Sequence, residues 1–190
     1  MAGNRLRIIS GTLRGKKLHP LHGKGIRPTS DRTREAMFNI LSHGIVSGAV
    51  VLDLFAGSGA LGIEALSRGA DSATFVDREP VAISLLKKNL RSCCLEERTR
   101  IISWDIEQNL NCLQSHDRRY NLIFLDPPYH RDLVLPALKH LKKSQTVKPG
   151  AYLVLEHGTA DQLPLPIADF NLLDQRRYGK TLVSFLTYMV

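Results

Sequence analysis

From about residue 49 onward the chain alternates short, nearly continuous apolar runs with segments of helical period, and few architectures accept that rhythm. The strand candidates are Ala49–Phe55, Ala73–Asp77, Arg100–Trp104, Asn121–Asp126 and Ala151–Glu156. Between them lie helix candidates near Ala60–Arg68, Pro80–Arg91 and Asp132–Lys143, with a further one near Ile106–Leu113. Strands that are apolar on both faces need cover on both faces, so the pattern predicts an α/β, doubly wound, mostly parallel sheet of about seven strands. The tail breaks the rhythm. Phe170–Tyr178 and Leu182–Met189, joined through Gly179 and Lys180, predict an antiparallel hairpin closing one edge. Ahead of the first strand, Ser30–Leu41 reads as a helix capped by Thr29 or Ser30. Residues 6–18 read as a small basic hairpin or arm, with Gly23 and Gly25 as its hinge. The expected division is a basic arm over 1–26 and a body over 27–190.

Charge locates a partner. The chain has 190 residues with 26 basic and 18 acidic side chains, net +8. Residues 1–34 hold nine of the basic side chains and one acid, which leaves 17 of each for the rest. A neutral body with so basic an N-terminus predicts contact with a polyanion, nucleic acid above all, through Arg5, Arg7, Arg14, Lys16, Lys17 and Lys24. The alternative is a solvated, solubilising face. At 43% hydrophobic and 23% charged residues the composition excludes wholesale disorder. No apolar run reaches the roughly 18 residues of a membrane span. The N-terminus lacks the apolar core of a signal peptide, so a cytoplasmic protein is expected. Cys93, Cys94 and Cys112 have neither a disulfide framework nor zinc-ligand spacing, and no metal is expected.

Three motifs carry chemistry. In VLDLFAGSGALGIEAL, residues 51–66, Gly57, Gly59 and Gly62 match G-x-G-x-x-G between a strand and a helix. That turn can cradle a dinucleotide pyrophosphate, or merely turn the chain. Asp53 shifts the balance, since a carboxylate beside the turn suits a ligand bearing an ammonium, such as S-adenosylmethionine. Asp77, at the end of the second strand, can accept both hydroxyls of a ribose or cap the helix that Pro80 opens. Asp105, after the third strand, can accept from an adenine amine with Trp104 or Ile106 near the ring, or cap a short helix. The third motif is Asp126-Pro127-Pro128-Tyr129, at the carboxyl end of the fourth strand, where open α/β sheets bind ligands. Consecutive prolines have no N–H to donate and hold a rigid extended turn. The Asp126 carboxylate and the Pro127 carbonyl are thus two acceptors for one NH₂ group. An exocyclic nucleobase amine is a poor nucleophile because its lone pair is delocalised into the ring. Two acceptors on its hydrogens favour a pyramidal nitrogen and develop that lone pair. Tyr129, with Pro128, offers the base a face to stack on. His157, at the same rim, reads as a satisfied histidine rather than a catalytic one.

RIISGTLRGKKL (7–18), RPTSDRTREAMFNIL (27–41), DLFAGSGALGIEALSRGA (53–70) and DPPY (126–129) occur in this order. Together they make the chain resemble the bacterial 16S ribosomal RNA guanine-N2 methyltransferases that act on guanine 966 of the small subunit. The resemblance runs over essentially the whole chain. It implies a Rossmann-like class I methyltransferase fold and transfer of methyl from S-adenosyl-L-methionine to the N2 amine of one rRNA guanine. The implied substrate is 16S rRNA within an assembled or partly assembled small subunit, and a monomeric enzyme is expected. Carried onto these positions, Asp53, Phe55, Gly57 and Gly59 hold the methionine end, Asp77 and Arg78 the ribose side, and Asp105 and Ile106 the adenine. Arg27 and Thr29 close over the cofactor, which Asp126 also borders. Asp126 to Tyr129 hold the target base, with Asp126, Pro127 and Tyr129 as the catalytic set. Three other readings stay open on the residues alone: a DNA amino-methyltransferase acting on adenine N6 or cytosine N4, a dinucleotide-dependent oxidoreductase, and a non-catalytic RNA-binding or ribosome-assembly factor.

Overall fold

Each apolar run between turns becomes one strand of a single sheet. The computed structural model describes residues 6–21, 31–114, 118–128, 133–159 and 169–190. Within them the helices are α1 (Asp31–Val46), α2 (Ala60–Ser67), α3 (Pro80–Ser92) and α4 (Val134–Ser144). The strands are β1 (Val50–Leu54), β2 (Ser72–Asp77), β3 (Thr99–Ser103), β4 (Tyr120–Leu125), β5 (Val147–Gly158), β6 (Phe170–Tyr178) and β7 (Thr181–Tyr188). The order across the sheet is β3-β2-β1-β4-β5-β7-β6. The first five strands pair in parallel, while β7 runs antiparallel between β5 and β6. The chain moves outward from β1 to β2 and β3, then returns to β4 on the other side. The switch point of the sheet therefore lies between β1 and β4.

Side chains alternate between two apolar clusters with the period of two that a strand imposes. Val51, Leu122, Phe124 and Val154 join Met37, Phe38, Leu66 and Leu86 from α1, α2 and α3. Leu52, Leu54, Ile123 and Leu155 join Leu138 and Leu141 from α4. Phe38 meets Phe124 with ring centroids 5.6 Å apart, fastening α1 to the middle of the sheet. Pro80 occupies the start of α3, where a missing N–H breaks no helical bond.

The basic segment is a hairpin and it is docked. Arg7 bridges Lys17 in antiparallel fashion. The Ile8 N–H donates to the Lys16 carbonyl at 2.9 Å and the Leu18 N–H to the Leu6 carbonyl at 2.9 Å. Leu6, Ile8 and Leu18 are buried in the same cluster as α1, α2 and α3. The expected hinge at Gly23 and Gly25 lies outside the described residues.

Three elements differ from expectation, each for a local reason. Helix α1 runs on to Val46 across a break at Ser42 (φ 55°, ψ 163°), where a helix ending at Leu41 was expected. The helix expected over Ile106–Leu113 is a run of turns with one 3₁₀ turn at Asn111–Leu113. There the Asp105 side chain accepts the Glu107 N–H at 3.0 Å and the Asn109 side chain the Asn111 N–H at 3.0 Å. Such local bonds compete with helix formation. Strand β5 begins at Val147 rather than Ala151, because its pairing with β4 shifts register between Tyr120 and Leu122 and absorbs Pro149 and Gly150.

Candidate cofactor and base site

The turn after β1 is built from left-handed backbone. Phe55 (φ 59°), Gly57 (φ 53°) and Gly59 (φ 78°) all have positive φ, and Phe55 does so at a steric cost that glycine escapes. The glycines have separate reasons to be there. Among the described residues, a Cβ at Gly57 would meet only Leu21 Cδ2 at 3.8 Å and the Phe55 carbonyl at 3.9 Å, so they leave that backbone open to a ligand. A Cβ at Gly59 would collide with Leu86 of α3. One at Gly62 would collide with the Phe75 ring and lie 3.1 Å from Asp53 Oδ2, so Gly62 lets α2 press onto the sheet.

Asp53 sits beneath this turn, 2% exposed. Its Oδ2 accepts the Gly62 N–H at 2.9 Å. Gly62 is the third residue of α2, and the cap position, Gly59, has no side chain to offer. Asp53 thus satisfies from the strand an orphan N–H that a capping side chain would otherwise take. Burial pushes its carboxyl up to about 8; the Gly62 bond opposes this, and the nearby Asp77 charge adds to it.

Asp77 ends β2 and ties it to the turn. Its Oδ2 accepts the Gly57 N–H at 2.8 Å and its Oδ1 the Glu79 N–H at 2.9 Å, just ahead of α3. Each oxygen retains capacity for a further donor. Beyond β3, Asp105 accepts from Gln108 Nε2 and from Arg78 Nη1, each at 3.3 Å. Arg78 also reaches Glu107 Oε1 at 2.8 Å and Glu79 Oε1 at 3.3 Å, clamping the loops after β2 and β3 together. Ile106 is buried beside them. Trp104 turns its indole N–H to the Asn109 carbonyl at 3.1 Å.

Asp126 emerges at the carboxyl end of β4. The register pairs Leu54 with Leu125, so Asp126 stands across from Phe55 at the switch point. Asp126 is half-buried, Pro127 buried and Pro128 exposed. Tyr129, Arg5, Lys24, Arg27 and Thr29 lie outside the described residues. On β5, His157 is buried with Nε2 hydrogen-bonded to Ser184 Oγ at 2.9 Å, and Gln175 Nε2 donates to the same Oγ at 2.8 Å. That is a satisfied histidine.

The sheet therefore gathers Asp53, Phe55, Gly57, Gly59, Asp77, Arg78, Asp105, Ile106 and Asp126–Pro128 along one rim. It does not bring Arg7, Arg14, Lys16 and Lys17 to that rim. They are exposed on the hairpin, whose residues 9–13 bond to Glu64 and Ser67 of α2. Arg34, counted in sequence with the basic N-terminus, is 0% exposed. It donates to the Arg7 carbonyl and to Asp31 Oδ1, with Glu64 Oε2 3.9 Å from its Nε.

Sequence reasoning missed the residues that dock the hairpin. Glu64 of α2 is fully buried and accepts the Ile9 N–H at 2.8 Å, the Ser10 N–H at 3.0 Å and Arg68 Nε at 2.7 Å. Ser67 Oγ donates to the Ser10 carbonyl at 2.6 Å and accepts the Leu13 N–H at 3.0 Å. A Cβ at Gly11 would collide with the Ser67 carbonyl. The available signal was a Glu inside the apolar helical run ALGIEAL.

Comparison with known proteins identifies the family and the fold. The family model described as Conserved hypothetical protein 95 matches residues 6–187. The Ribosomal RNA small subunit methyltransferase D of Haemophilus influenzae is 36% identical over 190 residues, covering 98% of this chain and 95% of that protein. Its namesake in Escherichia coli K12 is 35% identical over 176 residues, covering 93% of this chain and 86% of that one. Among solved structures, the yhhF protein of Escherichia coli superposes with a TM-score of 0.84 at 30% identity, covering 97% of this chain and 98% of that one.

Proposed function

Because the chain belongs to the family of Conserved hypothetical protein 95, that of the small-subunit ribosomal RNA methyltransferases D, we propose that it methylates the exocyclic N2 amine of one guanine in 16S rRNA. S-adenosylmethionine is the donor, and when bound it supplies an electrophilic methyl on a sulfonium. The observation that carries this reading is the placement of Asp126-Pro127-Pro128 at the carboxyl end of β4, across from the glycine turn that follows β1.

The residues present fit that cofactor. The open space at Gly57 admits a ligand to the backbone. Asp53 lies beneath the turn, where the methionine ammonium would draw its carboxyl toward the ionised form and pair with it. Asp77, already fixed by the Gly57 and Glu79 amides, accepts from the ribose hydroxyls. Asp105, steadied by Arg78, accepts from the adenine amine beside Ile106. Arg27 and Thr29, outside the described residues, are assigned to the cofactor by the family resemblance alone.

Chemistry at the base needs positioning more than a strong base. Asp126 and the Pro127 carbonyl accept the two hydrogens of the amine and aim its lone pair, while Pro128 and Tyr129 hold the ring. The methylated nitrogen is acidic and loses its proton readily, so hydrogen bonding rather than proton abstraction is the role of Asp126. The hairpin cations grip RNA phosphates, and an assembled or partly assembled small subunit in the cytoplasm is the substrate.

The test uses small subunits from cells lacking the modification, incubated with labelled S-adenosylmethionine and this protein and mapped by nuclease digestion and mass spectrometry. One N2-methylguanosine in 16S rRNA is the expected product. Cofactor binding without transfer to subunits, free rRNA or DNA would overturn the proposed reaction.

A further inference from the structure

One side chain ties the segment that leaves the basic hairpin to the cofactor turn. Two residues after Lys17, His19 meets Asn89 of α3, which is fully buried. Asn89 Oδ1 accepts the His19 N–H at 2.8 Å, and Nδ2 donates to the His19 carbonyl at 3.0 Å. The same Nδ2 donates at 2.9 Å to the carbonyl of Ser58, the middle residue of the Gly57-Ser58-Gly59 turn. A primary amide has two N–H donors, so both are committed, one to the hairpin strand and one to the turn. Two neighbours reinforce the link. Leu21 Cδ2 lies 3.8 Å from where a Gly57 side chain would begin, and Leu86, one helical turn before Asn89, fills the space beside Gly59. The turn is thus shaped by α3 and by residues 19–21.

We propose that Asn89 is a positioning residue that couples the hairpin to the cofactor turn, so that RNA and cofactor bind with positive cooperativity. The proposal rests on reading the hairpin as the RNA grip and the turn as the cofactor cradle. RNA phosphates on Lys16 and Lys17 would add restraint to a segment whose next residues contact Asn89 and Gly57. With that segment restrained, less conformational entropy is lost when the turn closes on its ligand. Linkage then requires each ligand to tighten the other by the same factor.

The experiment measures the affinity of S-adenosylhomocysteine, which donates no methyl, with and without saturating unmodified small subunits at one salt concentration. The affinity for subunits is then measured with and without S-adenosylhomocysteine. The wild-type protein is expected to give the same factor both ways, about fivefold or more. Asn89→Asp keeps the acceptor for the His19 N–H but has at most one donor, the O–H of its protonated carboxyl, for the two carbonyls; it therefore breaks the bridge and should bring the factor to about one. Leu21→Ala, which touches no hydrogen bond, should lower it as well and stands in if Asn89→Asp does not fold. A purely structural asparagine would weaken each binding step and leave the factor unchanged. A wild-type factor of one, or a factor that survives both substitutions, overturns the proposal while leaving the methyltransferase reading intact. Failure of the wild-type protein to bind S-adenosylhomocysteine or subunits at all overturns the underlying reading instead.

Discussion

Two carboxylates on neighbouring strands, Asp53 and Asp126, make different demands on their surroundings, and substitutions separate them. Asp126 is half-buried at the rim across from Phe55, whereas Asp53 and Asp77 are the carboxylates that bond the amides of the glycine turn and α2. Asp126→Ala is therefore expected to lower methyl transfer by at least 10²-fold, the range seen when one preorganised transition-state hydrogen bond is removed. Its affinity for S-adenosylhomocysteine should stay within a few-fold of wild type. Single-turnover transfer and calorimetry decide this, and parallel loss of both would refute the division of roles. Asp53 titrates instead with folding. Burial holds its carboxyl up at about 8 in the folded protein, whereas an unfolded chain ionises it near pH 3.9. Between those values the native state keeps a proton that the unfolded state has released, so this contribution to stability falls as pH rises from about 4 to about 8. Asp53→Asn retains an acceptor for the Gly62 N–H and cannot titrate. Relative to wild type, it should gain at least about 1.4 kcal/mol, the worth of one pKa unit, between pH 5 and pH 8. Urea midpoints at the two pH values measure it, and parallel pH profiles would mean that Asp53 is already ionised in the native state.

At the scale of elements, the sheet and its rim were legible because strand periodicity and turn chemistry are local. Gly57, Gly59 and Gly62, the acid at or near the end of each of the first two strands, and the Asp-Pro-Pro after the fourth announced themselves by spacing. The docking of the hairpin was not legible. Glu64, Ser67 and Asn89 spend their side chains largely on backbone groups of residues 9–19, and no side-chain pattern in a helix says which distant N–H it will meet. The turns over 106–110 misled for the opposite reason: Ile106, Leu110 and Leu113 sit at helical spacing and are all buried, yet Asx bonds at 105 and 109 decide the backbone. Glu64 also balances Arg68 and the buried Arg34. Glu64→Gln removes that charge and cannot accept from both Ile9 and Ser10 as before. The expected cost is about 3–5 kcal/mol, as for a buried ion pair broken from one side. Hydrogen exchange at Ile9 and Ser10 should accelerate with it. A loss below about 1 kcal/mol with unchanged exchange would show that apolar burial of Leu6, Ile8 and Leu18 suffices to hold the hairpin.

Over the whole molecule, charge and chemistry occupy different places, and salt can tell them apart. On the rim, the basic Arg78 is paired with the acids Asp105 and Glu107. The excess belongs to the N-terminus, but not all of it is both exposed and unpaired: Arg34 is buried, and Arg7, though exposed, is 3.2 Å from Asp31. Arg14, Lys16 and Lys17 remain as exposed cations on the docked hairpin. Deleting the hairpin would also strip Leu6, Ile8 and Leu18 from the core, so it confounds binding with stability. Changing Arg14, Lys16 and Lys17 together to Gln keeps the apolar packing. Each phosphate that the variant no longer neutralises should reduce the slope of log affinity against log salt by about 0.7–0.9, or about 2–2.7 for three. The triple variant should unfold at a temperature close to that of wild type, since exposed charges contribute little to stability. S-adenosylhomocysteine binding without RNA, which releases no condensed counterions, should hardly respond to salt in either protein. An RNA slope that does not change in the triple variant would place the phosphate grip elsewhere and leave the hairpin cations a solubilising face.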